Sequence, residues 1–184
     1  MKTLFLLRHA KSDWNDPNCA DRDRPLAPRG VKAAHRINHW LRDHCAADFR
    51  RHNPLILCST ARRARDTARL ALADLDLDLV INYDRSLYLA GAQALIDRLR
   101  HVPDTVTTVM IIGHNPDLAD LVDRLRGDGT PDAVTAHAGA FPTAALAILE
   151  LPIESWANSG DQDGFLRAFI LPRREDHADN SAAS

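Results

Sequence analysis

The chain has 184 residues, 45% of them hydrophobic and 26% charged, and a formal net charge of -2, which suits one globular domain with a substantial core. So balanced a charge excludes general attraction to nucleic acid or to anionic membranes, and any phosphate must be held locally. No window approaches the roughly 18 to 20 apolar residues that span a bilayer, and MKTLFLL meets an arginine too soon for a signal peptide, so a cytoplasmic location is expected.

Thr3 to Leu7 is continuously apolar, as in a strand covered on both faces, and it runs without a turn into Arg8 and His9. Residues 8 to 28 are polar and proline-bearing and read as a long loop. From Arg29, the positions Val31, Ala34, Ile37, Leu41 and Cys45 recur at helical spacing through about Ala46. PLILCS is a second buried strand, and Ser59 or Thr60 can cap the helix ARRARDTARLALADL. LDLVIN suits a short strand and GAQALIDRLRHV a helix. TVTTVMIIG is a further strand, followed by HNPDLADLVDRLRG with Asn115 as N-cap, Pro116 as first helical residue and Gly127 as stop. ALAILEL and FLRAFIL complete the strands. The expected organisation is a single domain over residues 1–172 and a polar, disordered tail over 173–184.

Strands alternating with helices predict an α/β domain, a three-layer sandwich whose mainly parallel central sheet carries helices on both faces. Ligands in such folds bind beyond the carboxyl ends of the strands. Those ends deliver Arg8-His9, Ser59 with Arg62 and Arg63, and Gly113-His114-Asn115. Two histidines and at least two arginines at strand ends describe an anion site with a nucleophile in reach, and phosphate is the natural guest. Nearby arginines also disfavour the imidazolium form.

The stretches LLRHAKSDWN, STARRARDTA and IIGHNP resemble the histidine phosphatase superfamily, with its R-H-G motif and second catalytic histidine, and most of all its small bacterial SixA-type phosphohistidine phosphatases. RPLAPRG, LYLAG and FPTAALAIL extend the similarity from Thr3 to about Leu151. The resemblance implies a phosphoglycerate-mutase-like fold and a metal-independent phosphatase with no cofactor. It makes His9 the phosphorylated nucleophile, His114 the second histidine, and Arg8 and Arg63 the phosphate clamps; Arg63 rather than Arg62 precedes the alanine of R-A-x-x-T. Asn15 matches a phosphate-contacting asparagine of the related mutases, and Ser12 is a further phosphate-binding candidate.

Two departures matter. Ala10 stands where the motif has glycine, which would strain any backbone needing positive φ. Arg85 in YDRSLYLAG stands where mutases and many phosphoester-cleaving relatives place a glutamate acid, so a proton donor for an alkoxide is not evident. Transfer between imidazoles demands less of an acid, which favours phosphohistidine in a protein over sugar phosphate. A phosphatase of small phosphomonoesters and a non-catalytic module binding phosphorylated partners are the alternatives. Asp13 and His114 both stand open as proton carriers, and Thr143 is a weaker pocket candidate. His35, His39 and His44 lack a carboxylate or cysteine to complete a metal site and read as a solvated helix face. Cys58 is out of register for a C-x5-R cysteine phosphatase, since the position six later is Ala64. Cys19, Cys45 and Cys58 are expected as reduced thiols.

Overall fold

The first strand, β1 (Lys2–Arg8), is apolar on every residue from Leu4 to Leu7 because both of its faces are covered. Leu4 and Leu6 join one core cluster and Phe5 and Leu7 another, as the two-residue period of a strand requires. The computed structural model describes residues 1–73, 75, 79–160 and 164–172. In chain order after β1 come α1 (Pro28–His44), α2 (Ala46–His52), β2 (Leu55–Ser59), α3 (Arg62–Ala71), β3 (Ile81–Asp84), α4 (Ala92–Arg100) and β4 (Thr108–Gly113). Then follow α5 (Asp117–Leu125), β5 (Arg126–Gly129), α6 (Pro131–His137), β6 (Leu146–Leu151) and β7 (Gly164–Ile170).

The seven strands form one sheet in the order β3-β2-β4-β1-β6-β7-β5. β3, β2, β4 and β1 are parallel, β6 runs antiparallel between β1 and β7, and β5 lies parallel to β7. Residues of α4, α5 and α6 pack on the Leu4 and Leu6 side, and α1, α2 and α3 on the Phe5 and Leu7 side. This is the expected three-layer arrangement with a mainly parallel sheet. Among the described residues no helix is long and apolar enough to cross a membrane.

Register positions the chemistry. Arg8 pairs with Gly113, so β1 and β4 end level, and the His9 amide donates to the Gly113 carbonyl at 3.0 Å. β2 is in register with β4 through Cys58–Ile112 and ends one residue later at Ser59. Three strand ends therefore open on one crevice.

Several boundaries differ from the sequence reading. α5 begins at Asp117, with Pro116 at the N-cap, and ends at Leu125, because Arg126–Gly129 leaves the helix to pair with β7. Ala61, not Ser59 or Thr60, caps α3, although Ser59 Oγ accepts the Ala61 amide at 3.4 Å. α2 and α6 were not anticipated. The strand expected over LDLVIN begins only at Ile81 and runs to Asp84; residues 77–78 of that stretch, like the tail 173–184, lie outside the described residues.

The glycine of RPLAPRG has a steric reason. A Cβ on Gly30 would sit 2.2 Å from the Lys11 carbonyl oxygen, the atom that also accepts the Ala27 amide at 2.8 Å, so α1 presses directly on the loop that follows β1. Alanine normally favours a helix over glycine by about 0.5–1 kcal/mol, but a clash with backbone costs about 1–3 kcal/mol and dominates here. Gly30→Ala is expected to lower the thermal midpoint by roughly 3–10 °C, read by circular dichroism; an unchanged or higher midpoint would contradict this packing.

Candidate active site

His9 follows β1 immediately and is buried, 8% exposed. Its Nδ1 lies 2.8 Å from the carbonyl of Ala10. A carbonyl only accepts, so Nδ1 carries the ring proton and the lone pair is on Nε2. There the Nε–H of Arg63 donates to it at 3.3 Å. Ala10 is itself anchored: its amide donates to Thr67 Oγ1 at 2.9 Å, and the Thr67 hydroxyl donates to the Arg63 carbonyl at 2.6 Å. That threonine is the last residue of R-A-x-x-T, and its spacing from Arg63 is one helical turn. Ala10 does not adopt positive φ, so alanine at this position is unstrained, and its Cβ fills the Phe5 and Leu7 core.

His114 follows β4 and is 1% exposed. Its ring centroid is 5.1 Å from that of His9, and the ring of Tyr88 meets it edge-on at 5.2 Å. Its Nε2 lies 2.8 Å from Ser59 Oγ. The α5 amide of Leu118 is spent on the His114 carbonyl at 3.0 Å, so this group of the helix N-terminus turns back to the chain instead of serving an anion. Burial is the main cause that lowers the pKa of both rings, opposed at His9 by the Ala10 hydrogen bond and assisted in both by the charges of Arg63 and Arg8. His9 falls to about 4 and His114 to about 3, so both are neutral near pH 7.

Arg8 Nη1 donates to the Phe141 carbonyl at 2.7 Å, and the Ala144 amide donates to the His9 carbonyl at 3.2 Å. The FPTAA segment thus buttresses the end of β1, with Ala144 held at φ 60°. Arg63, 5% exposed, is fully engaged: besides His9 it binds the Asp21 carbonyl through Nη1 at 2.5 Å and the Asp21 carboxylate through Nη2 at 2.9 Å. Tyr88 Oη donates to the same carboxylate at 2.6 Å. These contacts, Tyr88 foremost among the favourable ones, hold the Asp21 carboxyl below the ordinary carboxylate range and therefore ionised.

Arg8, His9, Arg63 and His114 therefore meet in one place. Ser12 and Asn15 are placed differently. Ser12 is buried and accepts the Trp14 indole N–H at 3.0 Å, while Asn15 is exposed with its amide on Asp13 Oδ1 at 2.9 Å; no hydrogen bond joins either to the four. Trp14, 60% exposed, stacks on the Arg24 guanidinium at 4.1 Å. Arg62 is exposed and pairs with Asp66 at 3.6 Å. Cys58 is fully buried with its thiol pushed up to about 12 by burial, which makes it inert as a nucleophile. His35 and His39 are exposed on α1, and His44 stacks on Trp40 at 4.6 Å. Among the described residues no group of three His, Cys, Asp or Glu side chains assembles that could hold a metal ion.

The sequence profile of the histidine phosphatase superfamily (branch 1) matches residues 4–87, which include Arg8, His9 and Arg63. An uncharacterised protein of Mycobacterium tuberculosis is 37% identical over 169 residues, 91% of this chain and 100% of that one. The chain belongs to the histidine phosphatase superfamily. The SixA assigned as a phosphohistidine phosphatase in Agrobacterium tumefaciens superposes with a TM-score of 0.69 at 30% identity, covering 93% of this chain and 99% of that one. Its counterpart in Nakamurella gives 0.72 at 25% identity, over 94% and 97%. This member of the superfamily adds to its histidines and arginines a carboxylate, Asp21, that sequence reasoning missed. The signal was faint: Asp21 sits in a polar loop 42 residues from Arg63 and 67 from Tyr88.

Two outcomes follow. Asp21→Asn keeps the size but removes the charge that splays the Arg63 fork, and misplacement of a clamp by about 1 Å costs on the order of 10²-fold in rate; steady-state kcat/KM for any accepted phosphorylated substrate should fall by about tenfold to a hundredfold, and an unchanged value would remove Asp21 from the site. The second concerns acid. His9 and His114 have lowered folded pKa values, so between pH 6.5 and about 4 the unfolded chain binds protons that the folded chain refuses, and stability falls as pH falls through that window. Urea midpoints should drop from pH 7 to pH 5, and His114→Asn should shrink the drop; an equal drop in the variant would refute the linkage.

Proposed function

We propose that this protein is a metal-independent phosphatase that takes phosphoryl onto Nε2 of His9 and passes it to water, with phosphohistidine in a protein as its substrate. The observation that carries the reading is the state of His9: neutral, its Nδ1 proton committed to Ala10, its Nε2 lone pair beside the Arg63 guanidinium. In the first step an Nε2–P bond forms as the bond from phosphorus to the leaving group breaks, and the leaving group takes a proton. In the second, water attacks that phosphorus, inorganic phosphate departs and His9 is regenerated.

The charge of the phosphoryl oxygens needs donors around it. Arg8 Nε and His114 Nδ1 are buried nitrogens without a hydrogen-bond partner among the described residues, and a phosphoryl group between them would satisfy both. With the Ser59 hydroxyl donating to His114 Nε2, the ring proton of His114 is on Nδ1, where it serves as a donor to phosphoryl. As phosphoryl enters, the hydrogen bond that the Arg63 Nε–H donates to the His9 lone pair shifts to a phosphoryl oxygen.

Leaving-group chemistry supports phosphohistidine. Asp21 is the carboxyl group tied to Arg63, and Tyr88 and Arg63 keep it ionised, which makes it a poor acid. Asp13 Oδ1 is occupied by the Asn15 amide, and Arg85 is exposed. An alkoxide would leave without help from these groups, whereas an imidazole departs with far less. The names borne by the SixA relatives agree with this substrate class.

The test is phosphate release in EDTA from a phosphohistidine-bearing carrier protein and from a small phosphomonoester. The carrier should turn over faster, and His9→Ala should lower kcat more than about 10³-fold, with no acid-labile phosphoenzyme trapped on rapid quenching. Near-full activity of His9→Ala would overturn the nucleophile; preference for the small ester would overturn the substrate; loss of activity in EDTA would overturn metal independence.

A further inference from the structure

Beside the phosphoryl site lies a cleft of about 500 Å³, of whose lining the chemistry above uses only Arg8. Arg8, Lys11, Arg29 and Arg36 line it together with Ala33, Thr143 and Pro172, and no carboxylate among the described residues does so. Elsewhere several arginines pair with carboxylates, Arg62 with Asp66, Arg98 with Asp84, Arg100 with Asp97, Arg126 with Asp123 and Arg167 with Glu150, while others, such as Arg50, Arg65 and Arg124, stand apart on the surface without an ion pair among the described residues. Among the described residues none of the four cleft cations is in an ion pair. Four like charges gathered in one cleft, with no counter-charge among the described residues that line it, make a local field that draws anions.

The cations come from rigid places. Arg29, Ala33 and Arg36 follow each other at i, i+4 and i+7 on α1 and so share one face. Lys11 belongs to the loop that Gly30 and the Ala27 amide press against that helix. Arg8 joins the cleft to the phosphoryl site, since its charge is felt at the His9 ring. Seven residues of helix set the backbones of Arg29 and Arg36 about 10 Å apart along the axis, so their charges are spread along the cleft wall. The spread fits two acidic side chains on one segment.

We infer that this cleft is a second anion site, which holds acidic side chains flanking the phosphorylated histidine of a protein substrate. The inference rests on the protein-phosphatase reading and adds to it a rule of selection: the phosphoryl group enters between Arg8 and Arg63 while neighbouring Asp or Glu residues meet Lys11, Arg29 and Arg36.

The test uses two synthetic peptides phosphorylated on a single histidine with phosphoramidate, one with Asp and Glu at the positions around it and one with Asn and Gln there. Wild-type protein should favour the acidic peptide in kcat/KM by about fivefold to tenfold, the effect of two half-exposed ion pairs, and less as salt is added. In Arg29→Gln/Arg36→Gln the ratio should fall to within about twofold, with kcat/KM for the neutral peptide unchanged. Equal kcat/KM for both peptides in the wild type, or a preference that survives in the double variant, would overturn the inference. If neither peptide releases phosphate, it is the phosphatase reading that fails, and fluorescence anisotropy of the labelled, unphosphorylated peptides still decides the cleft. Weaker binding of the acidic peptide by the double variant upholds it, and equal binding by both proteins rejects it.

Discussion

The hydrogen bond from His9 Nδ1 to the Ala10 carbonyl decides which ring nitrogen holds the lone pair, and several other contacts keep its two ends still. Thr67 grips the Ala10 amide from α3, the Gly113 carbonyl takes the His9 amide from β4, and the His9 carbonyl takes the Ala144 amide from the segment before β6. Three separate parts of the chain thus converge on two residues. A free imidazole exchanges its proton between nitrogens; this one is held in a single tautomer, which is the preorganisation that nucleophilic catalysis by a neutral base requires.

Around that fixed ring the charges are arranged in opposition. Arg8 and Arg63 bring positive charge against a buried base, which suppresses its protonation, and Asp21 returns negative charge on the far side of Arg63. The Asp21 side chain is 43% exposed, so its pairing with Arg63 is worth more as orientation than as stability. Burial does most of the work on both histidines, and burial is what the sheet provides by ending β1 and β4 level beneath the loops.

Much of this could be read from the residues. Continuous apolar runs announced β1, β2 and β4, and because His9 and His114 sit directly after such runs, they were visible as strand-end anomalies. The choice of Arg63 over Arg62 came from the family resemblance, through its R-A-x-x-T pattern. What escaped has little apolar signal: β5 reads Arg-Gly-Asp-Gly, and α2 and α6 have seven residues each, too short for a periodicity to register. Asp21 and Tyr88 escaped because loop contacts depend on tertiary closure across 67 residues and leave no pattern in either neighbourhood. Asn15 was a carry-over of motif, and the loop that bears it turns its own amide onto Asp13 and leaves the residue exposed.

The position of Trp14 has an optical consequence. The chain has three tryptophans. Trp156 is fully buried with its indole N–H on the Val106 carbonyl, and Trp40 lies flat against His44, whereas Trp14 is open to water on the loop after His9, tied to Ser12 and stacked on Arg24. The red edge of the emission, and the part quenched by a dissolved collider such as acrylamide, therefore belongs to the loop after His9, while the blue edge belongs to the core. One spectrum separates the motion of the site from the integrity of the fold.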